Sequence, residues 1–154
     1  MVTAALTACA GFLLAVLWMD LMFDSQVRRG GGVLDEPTLS SLASYYHRVT
    51  TTSRPRGALI AAVMLTLLGL LGFEAVTGAR PAWLLASSAV LAGGPILLAR
   101  VRTFPNAVRL SSRRDDPAGQ SRLARSIYRD HLLCLAGITM FLLLWTGQEL
   151  VPRS

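Results

Sequence analysis

Residues 2–23 read VTAALTACAGFLLAVLWMDLMF, an apolar run with one charge in it, Asp20. A helix that crosses a hydrocarbon core of about 30 Å needs roughly 20 such residues. Residues 58–77, 82–101 and 132–147 form three more runs of this kind. Between the runs lies an unusual charge pattern: there is no lysine, and most of the fifteen arginines fall within residues 28–56 and 100–129. By the positive-inside rule these two arginine-rich connections are cytoplasmic, which leaves Arg80 and both termini outside. The fold expected is all-α, an integral membrane antiparallel four-helix bundle formed as a single domain over residues 1–149. A formal charge of +6 would suggest nucleic acid in a soluble protein. Here the arginines sit at the ends of apolar runs, so membrane lipid headgroups are the expected partner and nucleic acid is not.

The connections differ in character. Asp116 is suited to an N-cap and Pro117 to a first helical position, so the fourth helix is expected to start there, well before its apolar run. Residues 37–52 place Leu39, Leu42, Tyr46 and Val49 at three- and four-residue spacing, an amphipathic cytoplasmic helix. It is expected either to lie along the membrane surface with Arg48 toward the headgroups, or to pack as a lid over the cytoplasmic mouth of the bundle. Gly30-Gly31-Gly32 reads as a flexible hinge before it; no strand–loop–helix context gives it a phosphate-binding role. Gly93-Gly94-Pro95 predicts a kink in the third span, since proline removes a backbone donor. Thr7, Gly11 and Ala15, then Gly69 and Gly72, then Ala136 and Gly137, are small residues suited to close helix packing. Trp18, Trp83 and Trp145 are expected in interfacial belts, and Glu74 is expected to pair with Arg80. Cys9 and Cys134 read as buried thiols. The first run lacks a positive n-region and reads as a retained span, not a secretory signal. The closing residues 150–154, LVPRS, read as a protease-site remnant of an expression vector.

Polar groups inside or beside the spans are the candidates for chemistry. Asp20 and Asp24, four apart, project from one face of the first helix. Asp130 and His131 open the fourth span, and Tyr45, Tyr46 and His47 lie on the amphipathic helix. In one reading Asp20, Asp24 and His131 act as base and orienting groups, or hold a divalent metal such as iron, manganese or zinc, for a lipophilic substrate. In the other, Asp20 and Asp24 neutralise Arg125, Arg129 or the arginines at 54 and 56. A carboxylate-bridged di-iron site lacks its E-x-x-H pairs. Haem held by two histidines would have to use His47 and His131.

At Arg102-Thr-Phe-Pro-Asn106-Ala-Val-Arg109, followed by residues 122–131, the sequence resembles the anthrone-oxygenase-like group of small four-helix membrane proteins. Tyr-Tyr-His-Arg-Val-Thr at 45–50 and the spacing of the spans are similar as well. The resemblance implies a cofactor-independent oxygenation of an aromatic, polyketide-like substrate. The resemblance carries over no catalytic set residue by residue; from their placement at the span edges Asp20, Asp24, Asn106 and His131 are the candidate catalytic set, with Trp18, Tyr46, His47 and Arg129 around the substrate. Asn106, following Pro105 at a helix end, could instead cap backbone. The non-enzymatic alternative is a membrane subunit or small transporter working as a homo-oligomer, with paired carboxylates and a packed centre.

Overall fold

The computed structural model describes residues 1–29, 32–52, 54–78 and 80–150, apart from the side chains at 29, 52, 54, 149 and 150. Gly30 and Gly31 of the expected hinge, and residues 151–154 of the expected vector remnant, lie outside the described residues. All regular structure among them is helical. Helix α1 is Val2–Asp24 and tightens into a 3-10 turn, Ser25–Arg29. Helix α2 is Glu36–His47 and widens into a π turn, Arg48–Thr52. Helix α3 is Arg54–Thr77, α4 runs over Ala82–Ser112, and α5 is Pro117–Leu150. Val2–Arg28, Pro55–Thr77, Ala82–Ser112 and Pro117–Gln148 are each long and apolar enough to cross a membrane. These are the helices of a multi-pass membrane protein.

The helix starts follow from local chemistry. Asp116 caps α5, its Oδ1 accepting the Gly119 N–H at 2.9 Å. Asp35 caps α2 in the same way, accepting the Thr38 N–H at 3.2 Å. Each satisfies an amide that has no partner in the first helical turn. Helix α4 does not end at residue 101. It continues through Pro105 and Asn106 to Ser112, where Arg113 takes the left-handed conformation (φ 52°) and turns the chain. Asn106 is therefore inside a helix and caps nothing at a helix end.

Proline is accommodated by widening the helix, not by breaking it. Within α4 the turns Ala89–Gly93 and Ala99–Thr103 are π-helical, and Pro95 and Pro105 follow them; the π turn Arg48–Thr52 stands likewise before Pro55. A proline ring crowds the carbonyl four residues back and offers it no N–H, and a π turn moves that carbonyl aside. The irregularity expected at Gly93-Gly94-Pro95 takes this form. The carbonyl released by Pro95 is that of Leu91, and it faces Gly137 of α5. A Cβ built on Gly137 would lie 2.9 Å from that oxygen and 2.7 Å from Pro95 Cγ. Gly137 is what allows α4 and α5 to touch there.

Two apolar cores result. The first joins Leu6, Ala10 and Leu13 of α1, Leu67 of α3, Leu84 and Ala92 of α4, and Ile138, Phe141 and Trp145 of α5. Trp145 is fully buried, contrary to its expected place in an interfacial belt. Its indole N–H donates to Ser88 Oγ at 2.8 Å, which is why the polar ring edge is tolerated inside. Arg80 lies 5.3 Å from the Trp145 ring and 3.6 Å from Glu74, so the expected Glu74–Arg80 pair is present. Outside this core, Leu65, Phe73, Val76, Val90, Leu97 and Leu143 are exposed, as suits helices whose outer faces meet lipid.

The second core decides the place of α2. Leu39 and Leu42 are fully buried, packed with Val27 of the α1 extension, Ala107 and Leu110 of α4, and Ala124 and Ile127 of α5. The apolar face of α2 is thus taken up by protein. The expectation that it lies flat on lipid is overturned, because three helix ends project past the first core and cover it. Leu34 N–H donates to Ser121 Oγ at 2.9 Å, and Arg113 bonds Glu36 at 2.7 Å, which pin the start of α2.

Candidate functional site

Asp20 and Asp24 leave α1 one turn apart, between the two cores. The end of α2 brings them one tyrosine each: the Tyr45 hydroxyl donates to Asp20 Oδ1, and the Tyr46 hydroxyl donates to Asp24 Oδ1 at 2.5 Å. Consecutive helical residues point about 100° apart, so a single stretch of α2 serves both carboxylates. Phe23 stacks on Tyr45 with centroids 4.0 Å apart and closes the seam. Burial pushes the Tyr45 hydroxyl up to about 12, reinforced by Asp20 and opposed by Arg56. Tyr46 is raised well above its ordinary value, first by burial and then by the Asp24 charge. Both hydroxyls are donors at neutral pH.

The two carboxylates differ in their third partner. Asp20 accepts from Arg56 Nη2 at 2.9 Å, an ion pair between α1 and α3 that remains partly exposed. Asp24 is 1% exposed, and its Oδ2 lies 2.6 Å from Nδ1 of His131 on α5. Because Tyr46 donates to Oδ1, an ionised Asp24 accepts on both oxygens. The imidazole proton facing it then sits on Nδ1, and in the neutral ring Nε2 keeps the lone pair. A buried carboxylate that orients an imidazole in this way prepares a general base.

Asp130 precedes His131 and, about 100° round the α5 axis from it, faces α4 instead of α1. It lies 3.3 Å from Arg102 Nε and 3.5 Å from Thr103 Oγ1, with its buried Oδ1 lacking a hydrogen-bond partner. Asn106 belongs to this second patch, its amide donating to Ser126 Oγ at 3.4 Å. Of the eight residues expected at the site, Asp20, Asp24, Tyr46 and His131 come together. Asn106 stands apart on the α4–α5 seam, Trp18 is 63% exposed on the outer surface of α1, and the His47 ring is exposed. Arg129 lines a cleft of about 430 Å³ between the ends of α1 and α5, with Val27, Arg28, Arg122, Arg125 and Tyr128.

Sequence reasoning groups Tyr45 with this cluster without a specific role and offers Arg56 as a partner neutralising Asp20, and that ion pair is present. It missed the arginine cleft, although Arg122, Arg125 and Arg129 recur at helical spacing after the start at Pro117. Among the described residues no three His, Cys, Asp or Glu side chains converge on a metal position. Asp20 is engaged by Arg56 and Tyr45, so of the metal candidates only Asp24 and His131 share a bond. A haem between two histidines does not fit, because His47 is exposed while His131 is buried against Asp24. No protein-family model, curated protein or solved structure matches the chain.

Proposed function

We propose that this chain is a membrane enzyme, an antiparallel four-helix bundle with both termini outside. Its Asp24–His131 pair abstracts a proton from a lipophilic phenolic, anthrone-like substrate at the cytoplasmic edge of the membrane. The observation that carries this reading is the 2.6 Å Asp24–His131 bond, buried and flanked by Tyr46. The resemblance at residues 102–109 and 45–50 supports the substrate class, and no metal is needed for the chemistry. His131 Nε2 takes a proton from the methylene carbon beside the aromatic rings. The carbanion reduces dioxygen and forms a carbon–oxygen bond, and His131 returns the proton to give a hydroperoxide. Loss of water from that hydroperoxide leaves a carbonyl, so the substrate is oxidised and dioxygen reduced with atoms in balance.

The test is oxygen uptake by the purified protein in detergent with anthrone as probe. Uptake above the protein-free rate is expected, and its loss in His131→Gln, with elution volume and helical circular dichroism unchanged. Equal uptake by the two proteins would remove His131 from the mechanism.

A second reading rests on a different observation: Asp20, Asp130 and Glu74 are each paired to an arginine (Arg56, Arg102 and Arg80). Such pairing suits a non-catalytic membrane subunit or small oligomeric transporter, with the open face of α3 around Gly69 and Gly72 against a second copy. A stable dimer in detergent that consumes no oxygen selects it.

A further inference from the structure

The cleft between the ends of α1 and α5 has a composition that demands a ligand. Arg122, Arg125 and Arg129 follow one another by three and four residues along α5, and Arg28 reaches in from the end of α1. Four guanidinium groups around one cleft repel each other. No acidic side chain lines the cleft, and Arg28, Arg122 and Arg129 have no carboxylate within ion-pair distance among the described residues, although the Asp115 charge acts on Arg122 from beyond that distance. The nearest acid along α1, Asp24, is buried and already holds Tyr46 and His131. An anion suits Arg28, Arg122 and Arg129, whose planar forks match phosphate oxygens in pairs.

The setting identifies the kind of anion. The cleft, about 430 Å³, exceeds what a bare phosphate fills. One turn past Arg129, Leu132 and Leu133 are 40% and 63% exposed, and on α1 Met22 is 64% exposed before Arg28. The guanidinium groups therefore stand where bare apolar helix surface begins. A ligand that fits both is an amphiphile with an anionic head. We propose that this cleft holds the phosphate of an anionic phospholipid, with its acyl chains lying along the exposed apolar surfaces of α1 and α5. Basic pockets between spanning helices bind such headgroups, and each arginine near a charged membrane surface adds about 1 kcal/mol.

The test reads lipid binding alone, independently of turnover at Asp24–His131. The protein is reconstituted with equal phosphatidylglycerol and phosphatidylcholine, and retained lipid is measured by native mass spectrometry. Wild type is expected to retain phosphatidylglycerol selectively, and R122Q/R125Q/R129Q to lose about a hundredfold in that preference. R109Q/R113Q, whose arginines pair with Asp115 and Glu36, is expected to retain it. Should the triple variant misfold, R129Q alone, at an exposed position, carries the test with a loss of about fivefold. Unchanged retention in the cleft variants, or equal loss in R109Q/R113Q, overturns the proposal. Displacement of phosphatidylglycerol by an equal concentration of inorganic phosphate also overturns it, and assigns the cleft to a free anion.

Discussion

Replacing Asp24 tests the dyad from both sides. The carboxylate is 1% exposed and receives Tyr46 at 2.5 Å and His131 at 2.6 Å. In Asp24→Ala both donors lose their acceptor inside the protein. A stranded buried donor costs about 1–3 kcal/mol, so the pair amounts to roughly 2–6 kcal/mol, a large share of an ordinary folding free energy. Asp24→Asn differs, because an amide offers one acceptor and one donor in nearly the same shape. If its oxygen faces Tyr46 and its NH2 faces His131, both contacts at position 24 are kept once the ring proton moves from Nδ1 to Nε2. The reverse orientation strands the Tyr46 proton. Asparagine thus preserves the fold to within about 1–2 kcal/mol and removes the lone pair the proposed chemistry uses. Thermal unfolding in detergent reads the first effect, oxygen uptake the second, and ring 15N shifts of His131 report which nitrogen is protonated. Asp24→Ala melting like wild type would refute the burial argument. A proton still on Nδ1 in Asp24→Asn would refute the tautomer argument.

Gly137→Ala should lower stability by about 1–3 kcal/mol, since its Cβ would meet a backbone oxygen at 2.9 Å and a proline ring at 2.7 Å. Gly72→Ala, with nothing within 4 Å, should not, and equal melting of the two would show the contact to be slack. The tyrosines give a pH dependence: burial pushes folded Tyr45 up to about 12 and raises Tyr46 well above its ordinary value, against about 10 for a free phenol. The undocked chain sheds these protons first, so docking of α2 is at full strength below about pH 10 and is lost as pH rises from there. Protease protection of residues 32–36 should fall over that range together with phenolate absorbance. Ionisation near 10 with protection unchanged would contradict it.

The sequence made the four apolar helices legible because each is a statement about composition, and the start of α5 legible because Asp116-Pro117 is local chemistry. The placement of α2 was not. Its apolar face is equally suited to lipid or protein, and only the projecting ends that carry Val27, Leu110 and Ile127 settle the matter. The end of α4 was misread for a related reason: Pro105 looks like a terminus until a π turn before it absorbs the ring. At the site, the four-residue spacing placed Asp20 and Asp24 on one face but could not distribute their partners. That depended on which face of α5 carries His131 and which carries Asp130, a matter of rotation about the helix axis that a sequence does not state.

Those rotations produce a chain of polar links between the two cores. Arg56 of α3 bonds Asp20 of α1, Asp24 of α1 bonds His131 of α5, and Arg102 of α4 pairs with Asp130 of α5. The two tyrosines attach α2 to the same level. In lipid, apolar contact is weakly directional between helices, so links of this kind fix their depth and rotation relative to one another. A purely structural belt is served best by guanidinium groups, which hold their charge at any physiological pH. Two of the three interhelical ion links follow that rule. The link through His131 departs from it, using an imidazole whose second ring nitrogen can accept or donate a proton while the first holds the carboxylate. A belt that needed only to hold helices together has no special use for an imidazole there, and this is the physical ground for placing the proposed chemistry at Asp24–His131.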